Sequence, residues 1–294
     1  MIKLEGDISN IKTTTPYDFL KWAGLVNSLH SGFLFYLPLG KLFKDRIIDR
    51  VKKLFSSYGY NFIELQEYVP KKSISDFNDF RLCSRLKTEN GEYWYNDPLI
   101  DAKIVQSNVK YNNVFWVKKY ADTSLRVKLS KLRLHSYELI TILATTNTIL
   151  PTIKEVLENL FVNQVQVLFN AKDIENDFVV AIKFQDEIFK IGHCNQPDCL
   201  DSLFVAGISI EKLLSLIVRI NIVSEKQIET VNKYLINTVK GLNYLSNEYD
   251  VFDDRNCSVK EKQIRAKALG VREIYITKNN NKIQDKYEIK QIGC

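Results

Sequence analysis

The chain has 294 residues, 45% hydrophobic and 26% charged, an ordinary globular mixture that excludes a disordered or collagen-like protein. Lys and Arg number 41 and Asp and Glu 35, and the resulting net charge of +6 is too mild to mark a dedicated basic DNA binder by itself. The length suits one large domain, or one large and one small.

Met1 to Thr15 is polar and reads as a mobile terminus, and Pro16 to Leu29 carries apolar residues at helical spacing. Gly32 to Gly40 is rigid and apolar, and Pro38 disfavours a helical conformation at Leu37. Lys41 to Ser57 gives the clearest helix. Leu42, Phe43, Ile47, Ile48, Val51, Leu54 and Phe55 share one face, with Lys and Arg opposite and Gly59 as the stop. Tyr60 to Val69 reads as a strand, and Ser73 to Glu92 as polar and irregular. Val114 to Lys119 and Tyr137 to Ala144 are strands rich in aromatic and β-branched residues. Ile153 to Phe161 is a helix, Phe178 to Phe184 and Glu187 to Gly192 form a hairpin about Gln185-Asp186, and a buried helix follows from about Ile210 to Arg219. Helix, antiparallel strands, then helix is an α+β order.

The pattern changes near Asn221, after which short elements alternate. Ser224 with Gln227 reads as a capping box for a long helix with Ile228, Val231, Leu235, Val239 and Leu242 on its inner face. Asp250 to Phe252 is a short strand and Val259 to Leu269 a basic helix. Glu273 to Thr277 and Tyr287 to Lys290 are strands around an Asn-rich turn. The alternation predicts a small α/β domain, so the expected division is 1–221 and 222–294.

Few groups suit familiar chemistry. Five scattered cysteines (Cys83, Cys194, Cys199, Cys257, Cys294) point to a reducing compartment and not to a disulfide framework. His193, Cys194 and Cys199 give H-C-x4-C, but a structural zinc needs four ligands and no second pair lies nearby, so a plain loop is favoured and no metal is expected. Cys257 reads as inert, since nothing near it in sequence lowers its pKa. His30, His135 and His193 sit in no nucleophile motif, and neither G-x-x-x-x-G-K-[ST] nor G-x-G-x-x-G occurs. No apolar run reaches the ~20 residues of a membrane helix; the longest, Leu139 to Leu150, is broken by Thr and Asn. Met1 to Asp7 has neither an apolar signal core nor an Arg-rich transit pattern, features a processed chain also lacks. The expected location is a mitochondrial matrix or a bacterial cytoplasm.

Four signals in order carry a resemblance. Gly24-Leu-Val and Ser31-Gly-Phe-Leu-Phe-Tyr-Leu-Pro-Leu-Gly40 precede the amphipathic helix, with Gly59 and Ile63-Glu64 after it. Ile188-Phe-Lys-Ile-Gly192, Gly207-Ile-Ser-Ile-Glu-Lys212 and Asp253-Asp-Arg255, the last followed fifteen positions on by Gly270, come next. From about Leu25 to the C-terminus the chain resembles the class IIa aminoacyl-tRNA synthetases, nearest to prolyl-tRNA synthetase of the bacterial and organellar type. The resemblance implies a class II antiparallel sheet with helices and then an anticodon-binding-like α/β domain, with motif 1 in the amphipathic helix, where the family builds its dimer. Tyr68 stands where motif 1 ends in proline, and Pro70 comes two residues later, which weakens a family-like dimer through that helix.

The family's activation chemistry uses arginines of motifs 2 and 3 against charge building on the α-phosphate of ATP, an electrostatic task suited to the planar guanidinium fork. At motif 3 this chain places Lys212 where the arginine belongs and Ser209 in place of the second glycine. Motif 2 survives as relics between Tyr120 and Leu139, with Arg126 followed by Val127-Lys128, and with Glu138 in Tyr137-Glu138-Leu139 where R-E-F belongs. The family's G-P-T-x-E loop corresponds to Asp97-Pro98-Leu99-Ile100-Asp101, where a substrate-facing hydroxyl is lost. Aminoacylation is therefore expected to be lost and no cofactor to be needed; an active, shortened ligase would need ATP and Mg²⁺.

The expected function is a non-catalytic synthetase-like protein that binds tRNA or duplex DNA, or serves a larger assembly as an accessory or structural subunit. The class IIa-like accessory subunit of mitochondrial DNA polymerase is an analogy for such a role. Arg255, Lys260, Lys262 and Arg265 are the candidate phosphate partners, the alternative being a solvated helix face.

Overall fold

The computed structural model describes residues 15–28, 34–66, 69–70, 84–88, 91–95, 98–108, 111–122, 135–146, 148–171, 178–195, 204–224, 226–237, 250–253, 257–277 and 283–288. In chain order the elements are α1 (Pro16–Trp22), β1 (Val26–Ser28), β2 (Leu34–Tyr36), α2 (Pro38–Ser57), β3 (Asn61–Phe62), β4 (Val69–Pro70), β5 (Ser84–Thr88) and β6 (Gly91–Tyr95). Then come α3 (Pro98–Asn108), β7 (Asn113–Asp122), β8 (His135–Ala144), α4 (Ile149–Leu160), β9 (Gln166–Ala171), β10 (Phe178–Phe184), β11 (Glu187–Cys194) and β12 (Phe204–Ser209). The last are α5 (Ile210–Val223), β13 (Val231–Asn237), β14 (Asp250–Asp253), α6 (Val259–Ala268), β15 (Val271–Thr277) and β16 (Ile283–Glu288). The chain divides into two compact units, Ser28–Leu34 with Asp49–Leu213, and Met1–Asn27 with Phe35–Ile48 and Leu214–Cys294.

The first unit is built on a seven-stranded sheet in the order β3-β7-β8-β12-β11-β10-β9. Its neighbours are antiparallel except β3 and β7, which run parallel. The mixed helix-and-sheet architecture is the α+β fold expected from the sequence. Because strand side chains alternate, the cross-strand series Trp116, Thr141, Gly207, His193 lies on one face, and Phe115, Ile142, Ala206, Cys194 on the other. On the first face Ala102 and Val105 of α3 pack with Val114, Trp116, Leu143 and Val205. On the second, Phe55 of α2 meets Tyr60 and Phe115 with ring centroids 5.6 and 5.1 Å away.

Helix α2 begins at Pro38, three residues before the expected start, because proline suits the first helical position. Leu37 stays outside the helix, its N–H bonded 2.9 Å from the Leu25 carbonyl. Phe43, Ile47, Ile48, Val51 and Phe55 are buried as the periodicity requires. Gly59 takes a left-handed φ of +80° after it.

Three expectations are corrected. The strand expected over Tyr60 to Val69 is cut to Asn61–Phe62 and Val69–Pro70, because after Ile63 the chain leaves the sheet edge and Ile63 and Leu65 pack against the α3 cluster. The stretch read as irregular holds β5, paired with β6 in a three-stranded sheet with β4. The five residues resembling a substrate loop run into a helix, since Pro98 opens α3. Of the terminus expected to be mobile, Met1 to Thr15, Thr15 is described and caps α1, its Oγ1 accepting from the Asp18 N–H at 3.3 Å; the rest of it, and Tyr68, lie outside the described residues.

In the second unit, β14-β13-β15-β16 form a mixed sheet, parallel across β14-β13-β15 and antiparallel at β16. The long helix expected after Ser224 does not form; Val231–Asn237 is the central strand β13. Pairing on both sides, together with Val, Tyr and Ile in the segment, outweighs the helical spacing. Ser224 and Ile222 stand at the end of α5, and the Ser224 Oγ accepts from the Lys226 N–H at 3.1 Å. Val239 and Leu242 lie outside the described residues. The capping box that does form is Ser258 with Glu261 at α6.

Asn221 ties this unit together. Its buried amide accepts from the Ile228 N–H at 2.6 Å and donates to the carbonyls of Ile228 and Ala268 at 3.3 and 3.2 Å. Gly270, at φ +60°, follows α6, where any Cβ would collide with the Ile228 carbonyl oxygen.

Candidate functional site

Asp101 lies in the first turn of α3, where a carboxylate complements the helix dipole. It is buried, and Lys118 of β7 donates to both of its oxygens, at 2.8 and 3.1 Å. The Tyr120 hydroxyl donates to the same carboxylate at 3.0 Å and receives the Trp116 indole N–H at 2.9 Å. Thr141 Oγ1 of β8 is 3.4 Å from that hydroxyl. Trp116, Lys118 and Tyr120 are alternate residues of one strand and so share a face. Burial, reinforced by the Asp101 charge, raises the Tyr120 hydroxyl far above its ordinary range, so it remains a donor. The Tyr120 ring also stacks on Tyr137, centroids 5.8 Å apart. A carboxylate paired in this way is saturated and is not a free base.

Sequence reasoning matched Asp101 to the family's loop acid but missed Lys118 and Tyr120. The available signal was Lys118 on the same strand face as Trp116, near the end of the apolar run Val114 to Lys119, which needs a buried counter-charge once the strand is central.

The motif 3 residues have mainly structural roles here. Gly192 and Gly207 approach backbone to backbone; a Cβ on Gly192 would strike the Gly207 carbonyl oxygen. Ser209 precedes α5 and its Oγ accepts from the Lys212 N–H at 3.4 Å, a helix cap rather than an open cradle. Lys212 is exposed, and burial raises the pKa of its neighbour Glu211 against the opposing pull of the Lys212 charge. Glu138 pairs in register with Lys119 on the sheet face opposite Asp101, so the structure does not bring those two acids together. Arg126 lies outside the described residues. His193 is exposed and Cys194 buried on opposite faces of β11, Cys199 is outside the described residues, and among those described no group of three His, Cys, Asp or Glu side chains could hold a metal.

The basic helix α6 divides its charges. Lys260 is exposed and Arg265 and Lys267 are half-buried. Lys262, expected on the same surface, is instead buried, with its ammonium donating to the Asp253 carbonyl at 3.0 Å. The physical reason is helical phase: Lys262 falls in line with Ala266 and Leu269, which face the sheet. Asp253 is itself buried, and its carboxylate accepts from the Tyr234 hydroxyl at 2.6 Å. Arg255 lies outside the described residues.

No family model and no curated protein matches the sequence. Solved structures do match its fold. Giardia lamblia prolyl-tRNA synthetase in complex with prolyl-adenylate is similar with a TM-score of 0.56 and 14% identity, over 88% of this chain and 68% of that one. Cryptosporidium parvum prolyl-tRNA synthetase complexed with halofuginone and AMPPNP is similar with a TM-score of 0.57 and 9% identity, over 89% and 69%. The RNA binding domain of threonyl-tRNA synthetase from Cryptosporidium parvum gives 0.56 and 9%, over 90% and 89%. At these identities it is the fold that is shared. The chain has a class II aminoacyl-tRNA synthetase-like fold.

Proposed function

We propose that this chain is a non-catalytic synthetase-like protein that binds nucleic acid, tRNA or duplex DNA, or serves as an accessory subunit. The observation that carries the reading is the Asp101 carboxylate. It stands where the resemblance puts the acid of the substrate loop, and Lys118 and Tyr120 already satisfy it inside the protein. A substrate ammonium or iminium would have to displace an internal ammonium that cannot diffuse away. The motif 3 lysine lacks the fork that pairs two phosphate oxygens, and Ser209 is used as a cap. On the binding side, exposed Lys260 and half-buried Lys267 fall on one line of α6, a helix that follows the anticodon-domain-like Asp253-Asp-Arg255.

Two measurements on the whole chain test it. ATP–pyrophosphate exchange with proline should stay at background. Labelled tRNA and labelled duplex DNA should both bind, with affinity falling steeply as salt rises. Robust proline-dependent exchange would overturn the reading and move Arg126 and Lys212 into catalytic roles.

A further inference from the structure

We propose that two copies of this chain pair through the open edge of the seven-stranded sheet, strand β9 against strand β9, antiparallel about a two-fold axis. β9 (Gln166–Ala171) ends that sheet and is paired along one side, with β10. Its sequence, Gln-Val-Leu-Phe-Asn-Ala, holds no charge and no proline, and its six residues pair with β10 in unbroken register. An edge of that kind is a template for a further strand, and proteins usually blunt theirs with short strands, charges, proline or bulges.

The other sheet edges among the described residues are blunted in these ways. β1 and β2 are three residues long, and β3 and β4 are two, with Pro70 in β4. Arg85 and Lys87 lie in β5, Asp250 and Asp253 in β14, and Asp285 and Lys286 in β16. β9 is the exception.

One bond on the open side sets the register. Glu158 of α4 accepts the Val167 N–H at 3.1 Å, so Val167 turns that donor away from β10. Backbone direction alternates along an antiparallel strand, and the N–H and C=O of Phe169 and Ala171 therefore face the open side as well. An axis through Asn170 sets Phe169 against Ala171 of the second copy, and Ala171 against its Phe169. That makes four N–H to C=O bonds between the copies and leaves the Val167–Glu158 bond in place. A charged edge paired with itself sets like charges across the axis, which is destabilising; neutral β9 sets none. The exposed Asn170 meets its own copy there, and an amide both donates and accepts. The pairing is separate from α2, where the resemblance puts the family's dimer, and from the nucleic-acid reading.

Sedimentation of the full chain over a concentration series, beside Ala171→Pro, tests the pairing. Wild type should dimerise reversibly. Proline at 171 removes a donor on the open side and no bond to β10, the setting in which an edge strand accepts proline. It should weaken the dimer at least tenfold while the monomer keeps its melting temperature. Cross-linking tests the register and needs no destabilising change. On the axis the two Asn170 Cα atoms lie about 4.5 Å apart, within disulfide reach, so oxidised Asn170→Cys should give a linked dimer that wild type does not. Gln166→Cys holds its two thiols more than about 25 Å apart and should not link. A wild type that is monomeric at every concentration would overturn the inference and leave the edge to a strand of another protein. A dimer that persists in Ala171→Pro and fails to link through Asn170→Cys would overturn it too, placing the interface elsewhere.

Discussion

Lys118→Met separates the internal ion pair while keeping the length of the side chain. Both partners are almost wholly buried, 2% and 3% exposed, so solvent screening takes little from the effect. Removing one member of a buried pair leaves an uncompensated charge and typically costs 3–5 kcal/mol. Here Tyr120 still donates one hydrogen bond to the stranded carboxylate, so the lower end, ~3 kcal/mol, is expected. For a unit of this size that is roughly 6–12 °C of melting temperature, at ~2–4 °C per kcal/mol. The double variant Asp101→Leu/Lys118→Met removes both charges and replaces them with apolar groups of similar bulk. Such replacements are often neutral or stabilising, and the freed Tyr120 hydroxyl still has Thr141 Oγ1 at 3.4 Å. The double variant should therefore lie within ~1–2 kcal/mol of wild type, far from the sum of its parent single variants. Urea denaturation of the four proteins at neutral pH gives the cycle. A Lys118→Met cost below 1 kcal/mol, or a double variant as unstable as the sum, would refute the ion-pair reasoning.

Phe55→Ala removes a fully buried ring that packs on Tyr60 and Phe115 and should cost ~3–5 kcal/mol; an unchanged denaturation midpoint would show that this face of α2 is not core. Val162 is exposed after α4 with φ +54°, a conformation that a β-branched residue adopts only under strain. Val162→Gly should stabilise by about 0.5–1 kcal/mol, and a loss measured by urea titration would count against the strain. Burial raises the Glu211 carboxyl pKa, so the folded state holds that proton more tightly than the unfolded chain. Its contribution is present below the ordinary carboxylate range and is lost as pH rises through the raised value. The melting temperature of Glu211→Gln should thus gain on wild type between pH 4 and pH 7, and a constant difference would contradict this sign.

The fold was legible where periodicity and packing agree. α2 shows a long apolar stripe in sequence and buries it in the structure; the β10–β11 hairpin was readable from two alternating runs about Gln185-Asp186. Reading failed where one local signal stood against a partner far along the chain. The apolar residues after Ser224 satisfy helical spacing, but β13 has β14 on one side and β15 on the other, and neither neighbour is visible from within the segment. Lys262 was counted with its basic neighbours because composition does not show phase; the helix start at Ser258 fixes the phase and sends that lysine inward. At the Asp101 site the acid was legible through resemblance, whereas its partner Lys118 lies 17 positions away. A pair of that separation becomes visible only once α3 is placed beside β7.

Two of the buried polar sites are opposites. Around Asp101 the hydrogen bonds link indole to phenol, and phenol and ammonium to carboxylate, and each of these donors has an acceptor. At Arg265 a cationic donor is buried without one. A group that must receive a ligand bears an unmet polar demand when the ligand is absent, and that demand costs stability. A group that has found its partner within the fold contributes to stability and has nothing left to offer. On the proposed function, the Asp101 cluster serves stability and not ligand binding. Stability and binding should then respond separately. Asp101→Leu/Lys118→Met should leave nucleic-acid affinity and its salt slope at wild-type values, since both charges are buried and paired with each other. Measuring affinity and melting temperature on that double variant checks the separation, and a loss of affinity would show that the Asp101 cluster takes part in binding after all.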